Sequence, residues 1–385
     1  MTRAKRLRDR FESLIGRKPA AKGGGGKEAP HEPTDGEKLR KIRRRFKEQS
    51  REMERLRTQQ VRGLLDLSTI PTFFIVGRVK SGTSWLMKIL DAHPEILCKG
   101  EGRFFGRDFI QEDFERGQQG RIQPSSLYRA LLEAEYLEAW IERSVWTRGD
   151  DVQEHLTNLT RLSASYFLAQ RLAKSGKKIV GDKTPLSSNA IVEEISTIYP
   201  GAKVIHIIRD GRDAAVSLVH HRWNHADLYE LKPEELAKRQ AYRENHGMLA
   251  TGEGMFTEGT LRNLAIRWKE LVNKSSEDGR RLLGANYAEL KYEDLLERPE
   301  EEIRRLLDFL GADAEEKTVK DCIKAASFEA LSSGRQRGEE DSTSFFRKGV
   351  AGDWRRVFTE EDRKIFKEEA GELLIELGYE KDYSW

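Results

Sequence analysis

Cysteine is nearly absent: Cys98 and Cys322 are the only two in 385 residues. Two thiols this far apart build no disulfide framework, and they lack metal-ligand spacing. Cys98 adjoins an apolar run, where a thiol is expected to pack rather than react. Long apolar stretches are missing too, and none approaches the ~20 residues that span a bilayer. The N-terminus carries charge without an apolar core before a small-residue cleavage site, so it does not read as a secretory signal. These absences lead to the expectation of a soluble cytoplasmic protein. An excess of either charge is also lacking overall, with 68 Lys and Arg against 65 Asp and Glu. That balance hides an asymmetry. Residues 1–62 hold 20 basic and 9 acidic side chains, a net of +11, which leaves 48 and 56, a net of −8, for the rest.

The basic character therefore belongs to an N-terminal arm, read here as residues 1–69, with one large domain over 70–385. Leu7, Phe11, Leu14 and Ile15 fall at helical spacing, and a polar Gly/Pro-containing stretch from Lys18 to Gly36 reads as linker. Leu39, Ile42, Phe46, Met53 and Leu56 then resume a helical alternation, interrupted at Gln49 and Gln60. The basic side chains are either a solvated helix face or a contact for an anionic membrane or polyanion.

The body alternates strand-like and helix-like segments. Strands are expected at Thr72–Gly77, Ile96–Cys98, Lys178–Gly181, Lys203–Ile208 and Ala285–Leu290. Helices are expected at Ser84–Asp91, Ser126–Arg143, Thr160–Lys174, Asn189–Ile198 and Asp213–His221. Further helices should cover Glu234–His246, Leu261–Ser275, Pro299–Leu310 and Glu360–Leu377. Such alternation predicts an α/β fold, a P-loop-type parallel sheet covered by helices on both faces. Ligands of such sheets bind beyond the carboxyl ends of the strands.

Phe73-Phe74-Ile75-Val76-Gly77-Arg78-Val79-Lys80-Ser81-Gly82-Thr83-Ser84-Trp85 is the strand, loop and helix start of a P-loop. It lacks the usual lysine after the second glycine. Gly77 and Gly82 keep the spacing and Ser84 keeps the hydroxyl position, but Thr83 replaces that lysine and Lys80 lies upstream. Backbone N–H groups can still hold a phosphate. The clamp on a triphosphate tail is gone, so a donor with one short 5′ group fits better than ATP.

Two later segments add cations. Arg209 ends the run Lys203-Val204-Ile205-His206-Ile207-Ile208, and Ser217 follows in the first helical turns. A forked arginine and a serine hydroxyl could close on one anion. Phe345-Phe346-Arg347-Lys348-Gly349-Val350-Ala351-Gly352-Asp353-Trp354 places two cations among glycines and aromatics, as a loop over a phosphate and a base would. His206 reads as a core histidine.

These three stretches resemble the 5′-phosphosulfate loop, the 3′-phosphate site and the C-terminal Arg-Lys-Gly loop of sulfotransferases that use 3′-phosphoadenosine 5′-phosphosulfate (PAPS). The similarity runs from about Pro71 to the C-terminus. It implies that Lys80 lies beside the bridging oxygen and 5′-phosphate, with Ser81, Gly82, Thr83 and Ser84 around it. It implies that Trp85 and Tyr292 flank the nucleotide, and that Arg209, Ser217, Arg347, Lys348 and Gly349 grip the 3′-phosphate.

The small-molecule class of that family uses a histidine base, and no histidine occurs between His93 and His155. Lys99-Gly100-Glu101-Gly102-Arg103-Phe104-Phe105 instead resembles the Lys-Glu-x-x-Phe-Phe segment of heparan-type enzymes, with Gly100 inserted. The resemblance makes Glu101 the base. Gly181-Asp182-Lys183-Thr184-Pro185 resembles a Glu-Lys-Ser/Thr segment of the same branch, which makes Lys183 a second catalytic cation. Asp182 is an alternative ion-pair partner with no catalytic role. His220 and His221 lie toward the acceptor side without an assigned task.

The expected function is transfer of a sulfuryl group from PAPS to a hydroxyl or amine, with a sugar acceptor favoured and no metal. The lack of a membrane span argues against the membrane-anchored arrangement of many animal carbohydrate sulfotransferases. A P-loop kinase would need a lysine at Thr83, and a non-catalytic nucleotide-binding scaffold would not need Lys80, Glu101 and Lys183. The acceptor pocket should draw on Gly106–Asp150 and Arg222–Thr260.

Overall fold

The computed structural model describes residues 70–106, 126–132, 134–186, 188–226, 231–244 and 254–385, with Arg44, Arg45, Lys47–Gln49 and Arg51. The chain divides into two units, 1–62 and 63–385. In the first, the described residues are helical, and Arg44 pairs with Glu48 one turn away. The apolar positions expected at 7–15, 39, 42, 46, 53 and 56 lie outside the described residues.

In the second unit, five parallel strands form one sheet in the order β2-β3-β1-β4-β5. They are β1 (Thr72–Arg78), β2 (Ile96–Gly100), β3 (Ile179–Leu186), β4 (Lys203–Ile208) and β5 (Tyr287–Lys291). The centre is β1, whose Phe73, Phe74, Ile75 and Val76 are all fully buried. Side chains alternate across a strand, so the run serves both faces. Phe73 and Ile75 pack with Leu86, Ile89 and Leu90 of the helix Thr83–Asp91. Phe74 and Val76 pack with Ile191 and Ile195 of the helix Ile191–Ile198 on the other face.

Because β1 lies between β3 and β4, the chain leaves it in both directions across the sheet. The carboxyl ends of β1 and β4 therefore flank the switch point where such sheets take ligands. Lys80 and Arg209 follow these two strand ends.

Most expected elements are present with shifted ends. The helix expected from Thr160 starts at Val152, because Asp151 accepts from the amides of Gln153 and Glu154 and caps it there. The helix expected over Ser126–Arg143 is two, Leu127–Leu132 and Glu135–Arg143, parted where Ala134 leaves helical geometry. The strand expected to end at Gly181 continues to Leu186, with Pro185 paired to Gly77. Gly181 interrupts nothing, since its missing Cβ makes room for the Phe73 ring, which would otherwise come within 2.2 Å. Helices at Tyr292–Glu297, Glu316–Ala325, Phe328–Leu331 and Trp354–Val357 were not expected. No helix among the described residues is long and apolar enough to cross a membrane. Cys98 is buried, and burial pushes its thiol well above the ordinary range.

His206 on β4 is fully buried, with Nδ1 2.7 Å from the Tyr287 hydroxyl. Burial pulls its pKa to about 4, with Glu289 opposing and Arg280 adding to the shift. The unfolded chain, with a pKa near ~6.5, binds more protons between those values. Stability is thus full above about pH 6.5 and falls toward pH 4, by roughly 3 kcal/mol for this one group. Melting curves across that window should show the loss, and His206→Asn should flatten it. A midpoint constant from pH 7 to 4.5 would contradict this.

Candidate active site

The loop after β1 turns sharply. Lys80 has φ +71° and Gly82 has φ +94°. A Cβ at Gly82 would come 2.5 Å from the Tyr292 ring, so both the backbone and the close approach require glycine. The helix Thr83–Asp91 then begins with no side-chain cap; the Trp85 and Leu86 amides donate to the Gly82 carbonyl, which leaves those of Thr83 and Ser84 available to an anion. Thr83, Ser84 and Trp85 line the cleft in front of it. Ser81 does not, and it is buried. Trp85 donates from Nε1 to the Ala326 carbonyl at 2.9 Å and meets the Tyr292 ring edge-on at 5.7 Å.

Arg209 follows β4 and is buried. Its Nη1 donates to the Lys80 carbonyl at 3.0 Å, and its Nη2 to the Val350 carbonyl at 3.3 Å. The guanidinium lies over the Tyr292 ring at 4.5 Å, and its buried Nε has no partner among the described residues. Ser217, two turns along the helix Gly211–Asn224, lines the same cleft.

The C-terminal segment closes the third side. Asp213 accepts from the amides of Gly352 at 2.6 Å and Trp354 at 2.9 Å, which ties this segment to the helix behind Arg209. Arg347 and Lys348 both donate to Asp353, each at 2.6 Å. Burial raises the Asp353 carboxyl, but hydrogen bonds and charge from Lys348 and Arg347 outweigh it and hold the pKa at about 2. Gly349, at φ +68°, packs against Phe328, whose ring would lie 2.4 Å from a Cβ there.

Together these segments enclose one cleft that is open to solvent at its mouth. Lys80, Gly82, Thr83, Ser84, Trp85, Arg209, Ser217, Tyr292, Arg347, Lys348 and Gly349 all line it. Sequence reasoning missed Phe328, Leu331 and Arg337 on its wall. Arg337 lies 5.5 Å over the Trp85 ring. Nothing in its exposed, polar neighbourhood in the sequence signals that placement.

Glu101 and Lys183 sit beyond the Lys80 end of the cleft. β2 and β3 pair with Gly100 opposite Lys183, so the residue after Gly100 meets the lysine directly. Glu101 takes a positive φ of 59°, its amide donates to the Lys183 carbonyl, and its carboxylate pairs with Lys183 Nζ. Lys183 is buried and Glu101 is 59% exposed. The inserted Gly100 fits because a Cβ would meet Lys183 Cε and Met87 Sδ, each at 2.9 Å. Lys99 points elsewhere and pairs with Asp91 at 2.8 Å. Asp182 does not take the ion-pair role; it accepts from the Gly102 amide and the Thr184 hydroxyl.

Lys80 Nζ lies 4.4 Å over the Phe345 ring. Burial, then Arg209, Arg347 and Lys183, pull its pKa down to about 8. An anion among these four cations would reverse that shift. Of the two unassigned histidines, His220 is buried against Trp223 and Tyr242. His221 is near enough to Lys80 and Glu101 to feel both charges, and burial first, then Lys80, lowers its pKa to about 4.

Nodulation protein NoeE of Sinorhizobium fredii is 27% identical over 318 residues, covering 82% of this chain and 68% of that protein. Flavonol 3-sulfotransferase of Flaveria bidentis is 27% identical over 197 residues, covering 46% of this chain and 57% of that enzyme. Among solved structures, mouse sulfotransferase SULT7A1 complexed with PAP has 18% identity and a TM-score of 0.45, over 82% of this chain and 93% of that one. The sulfotransferase domain family matches residues 71–378, and the chain belongs to that family.

Proposed function

We propose that this sulfotransferase uses PAPS as donor and acts on a hydroxyl or amine of a carbohydrate acceptor. The observation that carries the donor assignment is the convergence of Lys80, Arg209, Arg347 and Lys348 on one cleft beside a helix start without a side-chain cap and the rings of Trp85 and Tyr292. A nucleotide with phosphate at both ends of its ribose fits that set, and the buried Nε of Arg209, without a partner among the described residues, suits one of them. PAPS supplies the sulfuryl group and a bisphosphate leaving group.

In this reading Gly82, Thr83 and Ser84 hold the 5′ end, with Ser81 bracing the loop. Trp85 and Tyr292 flank the base, and Arg209, Ser217, Arg347, Lys348 and Gly349 grip the 3′-phosphate. Lys80 faces the charge that develops on the leaving phosphate. Glu101, exposed toward solvent, takes the proton from the acceptor, and the buried Lys183 paired with it serves as the second catalytic cation, on the sulfuryl group. A sugar is favoured by the likeness of Glu101-Gly102-Arg103-Phe104-Phe105 to the heparan-type segment. Thr83 at the lysine position of ATP-binding loops speaks against a kinase. Residues 1–69 form a separate basic arm that brings the domain 70–385 to an anionic membrane surface or polyanion, in the cytoplasm.

Nucleotide choice tests the donor. Each lost charged hydrogen bond weakens binding by about 1.5–3 kcal/mol, so calorimetry should show 3′,5′-adenosine bisphosphate (PAP) binding far more tightly than AMP. Equal affinities would sink the PAPS assignment.

Kinetics separate the catalytic residues. Glu101→Gln should leave nucleotide affinity nearly unchanged while kcat falls roughly 10²–10⁴-fold. Lys80→Ala should weaken donor binding and turnover together. Lys183→Ala should follow the Glu101→Gln pattern. Near-normal turnover in Glu101→Gln would remove it as base and leave His221, which shares its surroundings, as the next candidate. Deleting residues 1–69 should preserve cooperative melting and PAP affinity; loss of either would make the arm part of the catalytic core.

A further inference from the structure

Arg347 has no free arm. Its Nη2 donates to Asp353 at 2.6 Å and its Nη1 to Glu340 at 2.5 Å. The second Glu340 oxygen lies 3.7 Å from Lys348 Nζ and 3.7 Å from Arg356 Nη2, so three cations surround one carboxylate. This arrangement is built by the backbone. The Gly338 amide donates to the Lys348 carbonyl at 2.9 Å and the Asp341 amide to the Arg347 carbonyl at 3.0 Å, which sets residues 338–341 against the Arg-Lys pair.

The two carboxylates differ in how readily they can let go. Asp353 is 3% exposed and Glu340 27%. Stripping a buried carboxylate of its partners is costly, whereas a partly exposed one regains water when it swings out. We propose that Glu340 is an internal competitor for the anion that Arg347 and Lys348 take. It occupies one arm of Arg347 while the anion is away and yields that arm when the anion binds, and Asp353 holds the other arm throughout. This rests on the reading that these two residues grip the 3′-phosphate. Glu340 thereby lowers nucleotide affinity and speeds release of the spent bisphosphate, keeping Arg347 in place between turnovers.

The test is titration calorimetry and stopped-flow release with PAP and AMP on the full chain. Glu340→Gln and Glu340→Ala should each tighten PAP binding by about 2- to 10-fold, through slower release, and leave AMP affinity unchanged. Glu339→Gln removes the neighbouring charge, whose carboxylate accepts instead from the Gln336 amide at 2.8 Å, and should behave as the unmodified protein. PAP affinity unchanged or weakened in both Glu340 variants would overturn the proposal, as would equal tightening by Glu339→Gln, which would mark a general charge effect. Equal PAP and AMP affinity in the unmodified protein is a different result and overturns the underlying phosphate reading.

Discussion

Arg209 connects parts of the chain that are far apart in sequence. From the carboxyl end of β4 it donates to the Lys80 carbonyl in the loop after β1 and to the Val350 carbonyl in the C-terminal segment, while lying over Tyr292 after β5. Behind it, Trp268 donates to the Arg209 carbonyl at 3.0 Å, and Asp213 on the following helix holds the amides of Gly352 and Trp354. A buried guanidinium is tolerated only when its donors are used. Here both Nη atoms are used and fix the relative positions of three cleft walls, and the buried Nε is without a partner among the described residues.

The same economy governs the remaining cations. Burial and its cationic neighbours depress the pKa of Lys80, whereas Arg347 and Lys348 have Asp353 and Glu340 beside them. Lys80 thus has no carboxylate partner among the described residues, whereas Arg347 and Lys348 are neutralised. Under the proposed function, that difference suits charge developing near Lys80 during the reaction and a 3′-phosphate that must bind and leave at Arg347 and Lys348.

The sheet and the cleft walls were legible because each rests on a short local pattern. The buried run Phe73–Val76 ends in a glycine-spaced loop, Arg209 ends another apolar run, and Arg347-Lys348-Gly349 sits among glycines and aromatics. What was not legible depends on register or on distant partners. Gly181 and Pro185 look like strand breakers, yet β3 continues through both because Gly181 accommodates Phe73. The Glu101–Lys183 pair exists because Gly100 lies opposite Lys183 across β2 and β3, a register that neither segment encodes alone. Phe328, Arg337 and Glu340 reach the site from a stretch of helix and loop whose composition resembles any surface.

The central claim is that this cleft serves sulfuryl transfer from PAPS. Its most direct measurement is incubation of the full chain with radiolabelled PAPS and a panel of glycan, lipid and phenolic acceptors. The account predicts that label moves to a hydroxyl- or amine-bearing acceptor, with a glycan preferred, and that PAP accumulates in equal amount. Binding of PAPS with no label on any acceptor, or transfer of the γ-phosphate of ATP instead, would contradict it.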